Sequence, residues 1–184
     1  MKDFQPIQTS QMPKSEKLKN MAWGVINATL FRITPPYLGI FRKLRVLMLR
    51  SFGANIDIHA SIHPSVKVDF PWRLKMGKES SLGKKAWVYC LNDISIGNYS
   101  CIGQDVYLLT GSHDISSSTF DLVTKPIEIG DGVWVATSST VLPGVKLSDM
   151  SVVGAGSVVV KSTNENDVIG GNPAHFIKKR EIKD

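Results

Sequence analysis

Residues Thr110 to Ser116 read TGSHDIS, a polar stretch that holds one of the four histidines of the chain. An imidazole titrates near neutrality, so His113 is suited to take a proton from a hydroxyl while that hydroxyl attacks an electrophile. The competing reading is a loop histidine that merely faces solvent. Asp114 does not by itself supply a partner, because neighbouring side chains of an extended segment point to opposite sides.

The elements that must position His113 count in sixes. From Ile129 an aliphatic residue recurs at Val135, Val141, Leu147, Val153 and Val159. The same period runs earlier through Met76, Leu82 and Val88, then restarts after a slip of two residues at Ile96, Ile102 and Leu108. Glycine often follows at once, as at Gly77, Gly83, Gly97 and Gly103, and is expected to serve the tight turn. Four residues after the aliphatic position the residue is small or β-branched, as at Ser80, Ala86, Ser100, Ser139 and Ser157. A period of six fits no helix face, and it is too sustained for one strand. Each unit is one short strand plus one turn, three units close a triangular coil, and stacked coils bury a column of Ile, Val and Leu. The fold class is therefore all-β, a parallel β-helix of roughly five coils with a short α-helical N-terminal arm. The rhythm breaks most widely after Leu108: the next unit starts at Ile129, so 110–128 is extruded as a loop rooted beside His113, where a rigid scaffold commonly carries function.

The formal net charge of +6 is unevenly placed. Residues 1–52 hold nine Lys/Arg against two acids, the body 53–174 holds nine against twelve, and the tail 175–184 holds four against two. A mildly acidic body argues against nucleic acid; the basic arm suggests an anionic surface or phosphorylated ligand. The only cysteines, Cys90 and Cys101, read as reduced thiols of a cytoplasmic protein, since MKDFQPIQTS has no apolar signal region.

The repeat, the TGSHD loop, IGDGVWVATSSTVLPGV (Ile129 to Val145), VVGAGSVV (Val152 to Val159) and GGNPAHFIKK (Gly170 to Lys179) together resemble the hexapeptide O-acetyltransferases over residues 42–180. Within them the likeness is to the exopolysaccharide group typified by colanic acid acetyltransferases, with galactoside and maltose acetyltransferases more distant. The resemblance implies a left-handed helix, a homotrimer with active sites between subunits, acetyl-CoA as donor, no metal, and a sugar or lipid-linked saccharide as acceptor. It makes His113 the general base and the Thr137 backbone N–H the oxyanion donor. It places Trp134, Ala136, Thr137, Ala155, Val160 and Lys161 along the donor. Lys178, with Lys179 and Arg180, would meet its phosphates. Pro173 belongs to the turn ending the prism, as a cap or a cofactor contact, and His175 stands where the family often has arginine. Tyr89, Asn92 and Asp93, together with the loop residues Ser116 to Asp121, are the expected acceptor walls, although a turn asparagine is the larger alternative for Asn92.

Two helices, 14–33 and 40–50, are expected in the arm. Leu18, Met21, Ala22, Val25 and Ile26 share one face of the first, and Ile40, Leu44, Leu47 and Met48 one face of the second. They are expected to cap the open first coil, with peripheral contact to a membrane as an additional role. Three other functions are compatible with such a prism. A zinc anhydrase on the same prism would need a metal site between subunits, because within one subunit His63 and His113 stand on the order of 12 Å apart at about 4.8 Å per coil. A non-catalytic scaffold has no need of the loop. An antibiotic or other small-molecule acetyltransferase differs only in its acceptor.

Overall fold

The computed structural model describes residues 13–36 and 38–182. After the arm, the chain visits three faces in turn. The first face carries Asn55–Ile56, Leu74–Met76, Ile94–Ile96, Ile127–Ile129 and Lys146–Leu147 as neighbouring parallel strands. The second carries Ser61–Ile62, Ser81–Leu82, Cys101–Ile102, Trp134–Val135, Val152–Val153 and Asp167–Gly171, closed by the antiparallel strand Ala174–Lys179. The third carries Lys67–Asp69, Trp87–Tyr89, Tyr107–Leu109, Thr140–Val141 and Val158–Val159. This is a β-helix of five coils with a sixth strand on its second face. Asn55 stacks on Lys75 and Lys67 on Trp87, twenty residues on, whereas Thr140 stacks on Val158, eighteen on. The slip of two in the sequence is thus the extra length of the early corners, around Phe70–Arg73 and Leu91–Asp93.

The period-six positions form the core. Ile62, Val88, Ile102, Leu108, Val135, Val141, Leu147, Val153 and Val159 are fully buried or within 2% of it. The small residues beneath each corner are buried as well, and Ser80, Ser139 and Ser157 donate their hydroxyls to backbone carbonyls at 2.6 to 2.9 Å.

The glycines do a different job from the one expected of them. Gly77, Gly83, Gly97 and Gly103 do not occupy the left-handed region; that conformation falls on Glu79, Lys85, Tyr99, Asp105, Ser138 and Met150 in the turns. What glycine permits is close stacking: a Cβ on Gly83 would stand 2.7 Å from the carbonyl carbon of Gly103 in the next coil. Bare backbone is needed where one corner rests on another.

Strand polarity dictates what must cover the first coil. Its N–H groups point forward, as Asp57 to Met76 O (2.9 Å) and His63 to Leu82 O (3.0 Å), so its carbonyls are left at the open end. An acceptor edge needs donors. The helices α1 (Lys14–Ala28) and α2 (Gly39–Ser51) supply them. Trp23 Nε1 donates to Val68 O at 2.7 Å, Asn27 Nδ2 to Val66 O at 3.2 Å, Arg42 to His59 O at 2.5 Å, Arg45 Nε to Ile62 O at 2.6 Å and Arg50 Nε to Ile56 O at 2.6 Å. Arg45 is 1% exposed and also reaches Thr34 Oγ1 at 2.8 Å; burial pulls its pKa down, and hydrogen bonds replace its water.

The arm therefore caps, but with other residues than expected. Leu18, Met21, Ala22, Val25, Ile40, Leu44 and Leu47 are exposed, while Trp23, Phe31, Val46 and Leu49 join the core and Ile26 and Met48 pack partly against it. The first helix also stops at Ala28, short of residue 33, where the Thr29 hydroxyl donates to Val25 O at 2.6 Å and competes with the backbone.

Candidate active site

The extruded segment is a hairpin. Gly111–His113 pairs antiparallel with Leu122–Thr124, placing His113 opposite Leu122. Lys125 N–H donates to Thr110 O at 3.0 Å across its neck, and the coil resumes at Ile127, which is fully buried. A Cβ on Gly111, at the root, would meet the end of the Leu91 side chain, Cδ1, at 2.6 Å, so a larger residue there would oblige Leu91 to shift. The turn 114–121 is held by two carboxylates. Asp114 accepts from the Ser116 N–H at 2.9 Å and hydroxyl at 2.5 Å; Asp121 accepts from the Ser117 and Thr119 hydroxyls at 2.9 and 2.8 Å. The Ser116 hydroxyl, then the Ser116 N–H, hold the Asp114 carboxyl below its ordinary value. Asp114 serves the turn.

His113 is oriented by Phe120. The two rings stack with centroids 4.5 Å apart and planes 5° from parallel, and His113 Nδ1 lies 2.9 Å from the Phe120 carbonyl oxygen. A carbonyl only accepts, so Nδ1 carries a proton, and in the neutral ring Nε2 is the nitrogen with the lone pair. His113 lines a cleft of about 470 Å³ with Ser112, Lys125, Leu142, Pro143 and Val160. The sequence reading places Phe120 only within the loop wall 116–121, with no role toward His113. Its signal was an aromatic in a polar loop, and nothing in sequence spacing says that the loop folds back on its own root.

Thr137 lies at another edge. Trp134 projects from the second face, 49% exposed, and Ala136 and Thr137 turn the corner from the second face to the third. Ala155 occupies the same corner one coil later, where Gly156 N–H donates to Thr137 O at 2.9 Å. Ala136 and Ser138 donate their N–H groups to Val153 O and Gln104 O, both at 2.9 Å, whereas Thr137 N–H has no acceptor among the described residues. Gly103 gives that N–H room, for a Cβ there would stand 2.9 Å from Thr137 N. Trp134 and Thr137 line a cavity of about 490 Å³ with Arg45, His63, Cys101 and Gln104. The strand Thr140–Val141 lies between this corner and the one where Leu142, Pro143 and Val160 meet His113. One chain does not bring His113 and Thr137 together.

No family model matches the chain. A protein of Escherichia coli (strain K12), named "Putative colanic acid biosynthesis acetyltransferase WcaF", is 42% identical over 163 residues, covering 89% of this chain and 88% of its own length. The chain belongs to the hexapeptide-repeat acetyltransferases. Solved structures share its fold: a galactoside acetyltransferase in complex with coenzyme A superposes with a TM-score of 0.83 over 92% of this chain and 84% of that one, at 22% identity. The hexapeptide-repeat acetyltransferase VCA0836 of Vibrio cholerae O1 biovar eltor, complexed with acetyl coenzyme A, superposes with 0.80 over 95% and 94%, at 20% identity.

In this acetyltransferase the tail cations divide. Lys179 Nζ is committed to Asp167 Oδ1 at 2.7 Å and Glu165 O at 2.8 Å, and Arg180 donates to Gly132 O at 2.8 Å and Met150 O at 3.2 Å. Both cations expected to meet phosphates thus have partners within the chain. Lys161 and Lys178 are exposed and have no partner among the described residues. Pro173 is exposed in the turn joining the last two strands, and His175 is exposed on the second of them, opposite Gly170.

The three expected acceptor residues are split as well. Tyr89 lines a cavity of about 540 Å³ with Lys67, Asp69, Trp87 and Leu122, and burial, then Asp69, push its phenol pKa up. Asn92 and Asp93 line a separate recess of about 390 Å³ beside Arg73 and Thr124. Asn92 is busy holding the hairpin: its N–H donates to Thr110 Oγ1 at 2.9 Å, and its amide to Thr124 Oγ1 at 3.2 Å. Among the described residues no three His, Cys, Asp or Glu side chains gather, and no helix is long and apolar enough to cross a membrane.

Proposed function

We propose that this acetyltransferase moves the acetyl group of acetyl-CoA to a sugar hydroxyl in exopolysaccharide, capsule or lipopolysaccharide biosynthesis, with His113 as general base. The observation that carries this reading is the clamp on His113. With Nδ1–H held by the Phe120 carbonyl and the ring stacked on Phe120, Nε2 is the free base in the cleft. Nε2 takes the proton of the acceptor hydroxyl as its oxygen adds to the thioester carbonyl. The oxyanion is received by the unpartnered Thr137 N–H. Collapse breaks the C–S bond, and the departing thiolate of coenzyme A takes the proton back from the imidazolium. No acetyl-enzyme is invoked: Cys90 is buried, with its thiol pushed up chiefly by burial, and Cys101 lies on the second face.

Since His113 and Thr137 occupy different edges, each site in this reading lies between neighbouring copies of a homotrimer. One copy supplies His113 and Val160, the next Trp134, Ala136, Thr137 and Ala155. Lys161 and Lys178 are the cations left for the donor's phosphates, with Pro173 shaping the turn beside them. The sugar is met by Tyr89 and the hairpin, while Asn92 and Asp93 support the hairpin from behind. The setting is the cytoplasm.

The test is calorimetric titration with acetyl-CoA alongside turnover on activated or lipid-linked sugars. Wild type is expected to bind about one donor per chain; His113→Ala should keep that binding and lose turnover by about 10²- to 10⁴-fold. Turnover near wild type would overturn the assignment. Mixing inactive His113→Ala chains with inactive Thr137→Pro chains, which lack the N–H, should restore a fraction of the activity only where sites are shared between copies.

A further inference from the structure

Two aliphatic stripes of the arm face outward. Leu18, Met21 and Val25 follow one another along α1 and are 63 to 68% exposed; Ile40, Leu44 and Leu47 follow one another along α2 and are 75, 38 and 52% exposed. Leu30, Ile33 and Leu38 continue the apolar surface through the connection between the helices. The inner faces are already committed, through Trp23, Asn27, Arg42, Arg45 and Arg50, to the carbonyls of the first coil. A chain that buries an arginine while exposing this many aliphatic residues on the same two helices presents a surface to something.

Charge selects the occupant. Lys14, Lys17, Arg32 and Lys43 are exposed around these stripes without a partner among the described residues, and Lys19 lies over the Trp72 ring at 4.4 Å. The single acid of the described arm, Glu16, is tied to Arg73 at 3.2 Å. A second copy of this face would set cation against cation. An apolar face flanked by unpaired cations fits the boundary of an anionic bilayer, where aliphatic side chains enter the acyl region and lysines meet headgroup phosphates.

We propose that the outer face of α1, α2 and their connection docks the enzyme on an anionic membrane surface, lying in the interface and not crossing it. This goes beyond the acyl-transfer reading and stands without it. It also has a geometric consequence. Asn20 of α1 accepts from Phe70 N–H at 3.2 Å and lines the cavity of Tyr89 and Leu122, so the docking helix borders the hairpin that carries His113. A saccharide on a lipid carrier would meet that cavity from the same side.

The experiment is co-sedimentation of the full chain with vesicles of phosphatidylcholine alone and of phosphatidylcholine with phosphatidylglycerol, at low and at high salt. Binding is expected to the anionic vesicles and to fall with salt. The double variant Leu18→Glu/Val25→Glu, changed only at exposed positions, should bind at least tenfold more weakly at unchanged melting temperature. Lys14→Gln/Lys17→Gln should lose the preference for anionic over neutral vesicles. Absence of binding to anionic vesicles, or equal binding by wild type and the Glu variant, would overturn the proposal. So would dissociation of a wild-type oligomer by the Glu variant, because the face would then belong to another copy of the chain. None of these readouts depends on acetyl transfer.

Discussion

The β-helix and its helical arm both carry aliphatic residues at a fixed period, and they use them in opposite ways. In the β-helix the periodic residues are the core: Leu108, Val135 and Val153 are fully buried. In the arm the periodic residues Leu18, Met21 and Val25 are on the outside, and the face that sets the donors of Trp23, Asn27 and Arg45 beside Val46 and Leu49 is within. A period says which side chains share a face; the partner decides which face turns inward. A coil's interior is closed by its own two other faces, so aliphatic side chains have only one place to go. The arm rests on an edge of carbonyls, and a face that donates hydrogen bonds satisfies that edge where leucines would leave it unpaired.

That contrast can be broken in a graded way. Leu108→Ala removes a fully buried side chain from the column and should cost about 2–5 kcal/mol in denaturant unfolding. Arg45→Met should cost about 2–3 kcal/mol, although it makes the buried face more apolar, because the carbonyls of Ile62 and Pro35 lose their donor. A neutral or stabilising result would show that donors are not what the edge needs. Lys179→Met should cost at most about 1 kcal/mol, since Lys179 is half exposed to solvent. That cost is also pH-dependent. The hydrogen bond from Lys179 is the largest cause holding the Asp167 carboxyl below its ordinary value, so ionisation favours the folded state. The contribution is complete above the ordinary carboxylate range, about pH 4, and the gap between wild type and variant should close as pH falls through the lowered value. Leu18→Ser should change stability by no more than about 0.5 kcal/mol, the opposite of what a core stripe would show.

How far the site could be read from the sequence follows the same division. His113 stood out because a repeat makes its own interruption visible, and a hairpin does leave the scaffold there. Thr137 and Ala155 sit in one corner, as a strict repeat requires of residues eighteen apart. Phe120 was not legible, because its position over His113 depends on where an irregular eight-residue turn returns. The support that Asn92 gives the hairpin was not legible for the same reason: its partners, Thr110 and Thr124, are the two ends of the hairpin neck. The glycines were seen but given the wrong purpose, since a conformational need and a stacking need select the same residue.

The sequence by itself determined the number of faces, the residues of the column, the place of the extruded segment and the histidine at its root. Those follow from local periodicity and from interruptions of it, which a linear text records in full. Only the tertiary structure decided that Nδ1 of His113 is held by Phe120, that Lys179 and Arg180 are spent within the chain, that Thr137 N–H is left without an acceptor, and that the arm turns its aliphatic stripes outward. Each of these is a competition among hydrogen-bond partners brought together from distant positions, and its outcome rests on which donors and acceptors remain unpaired once the coils have stacked.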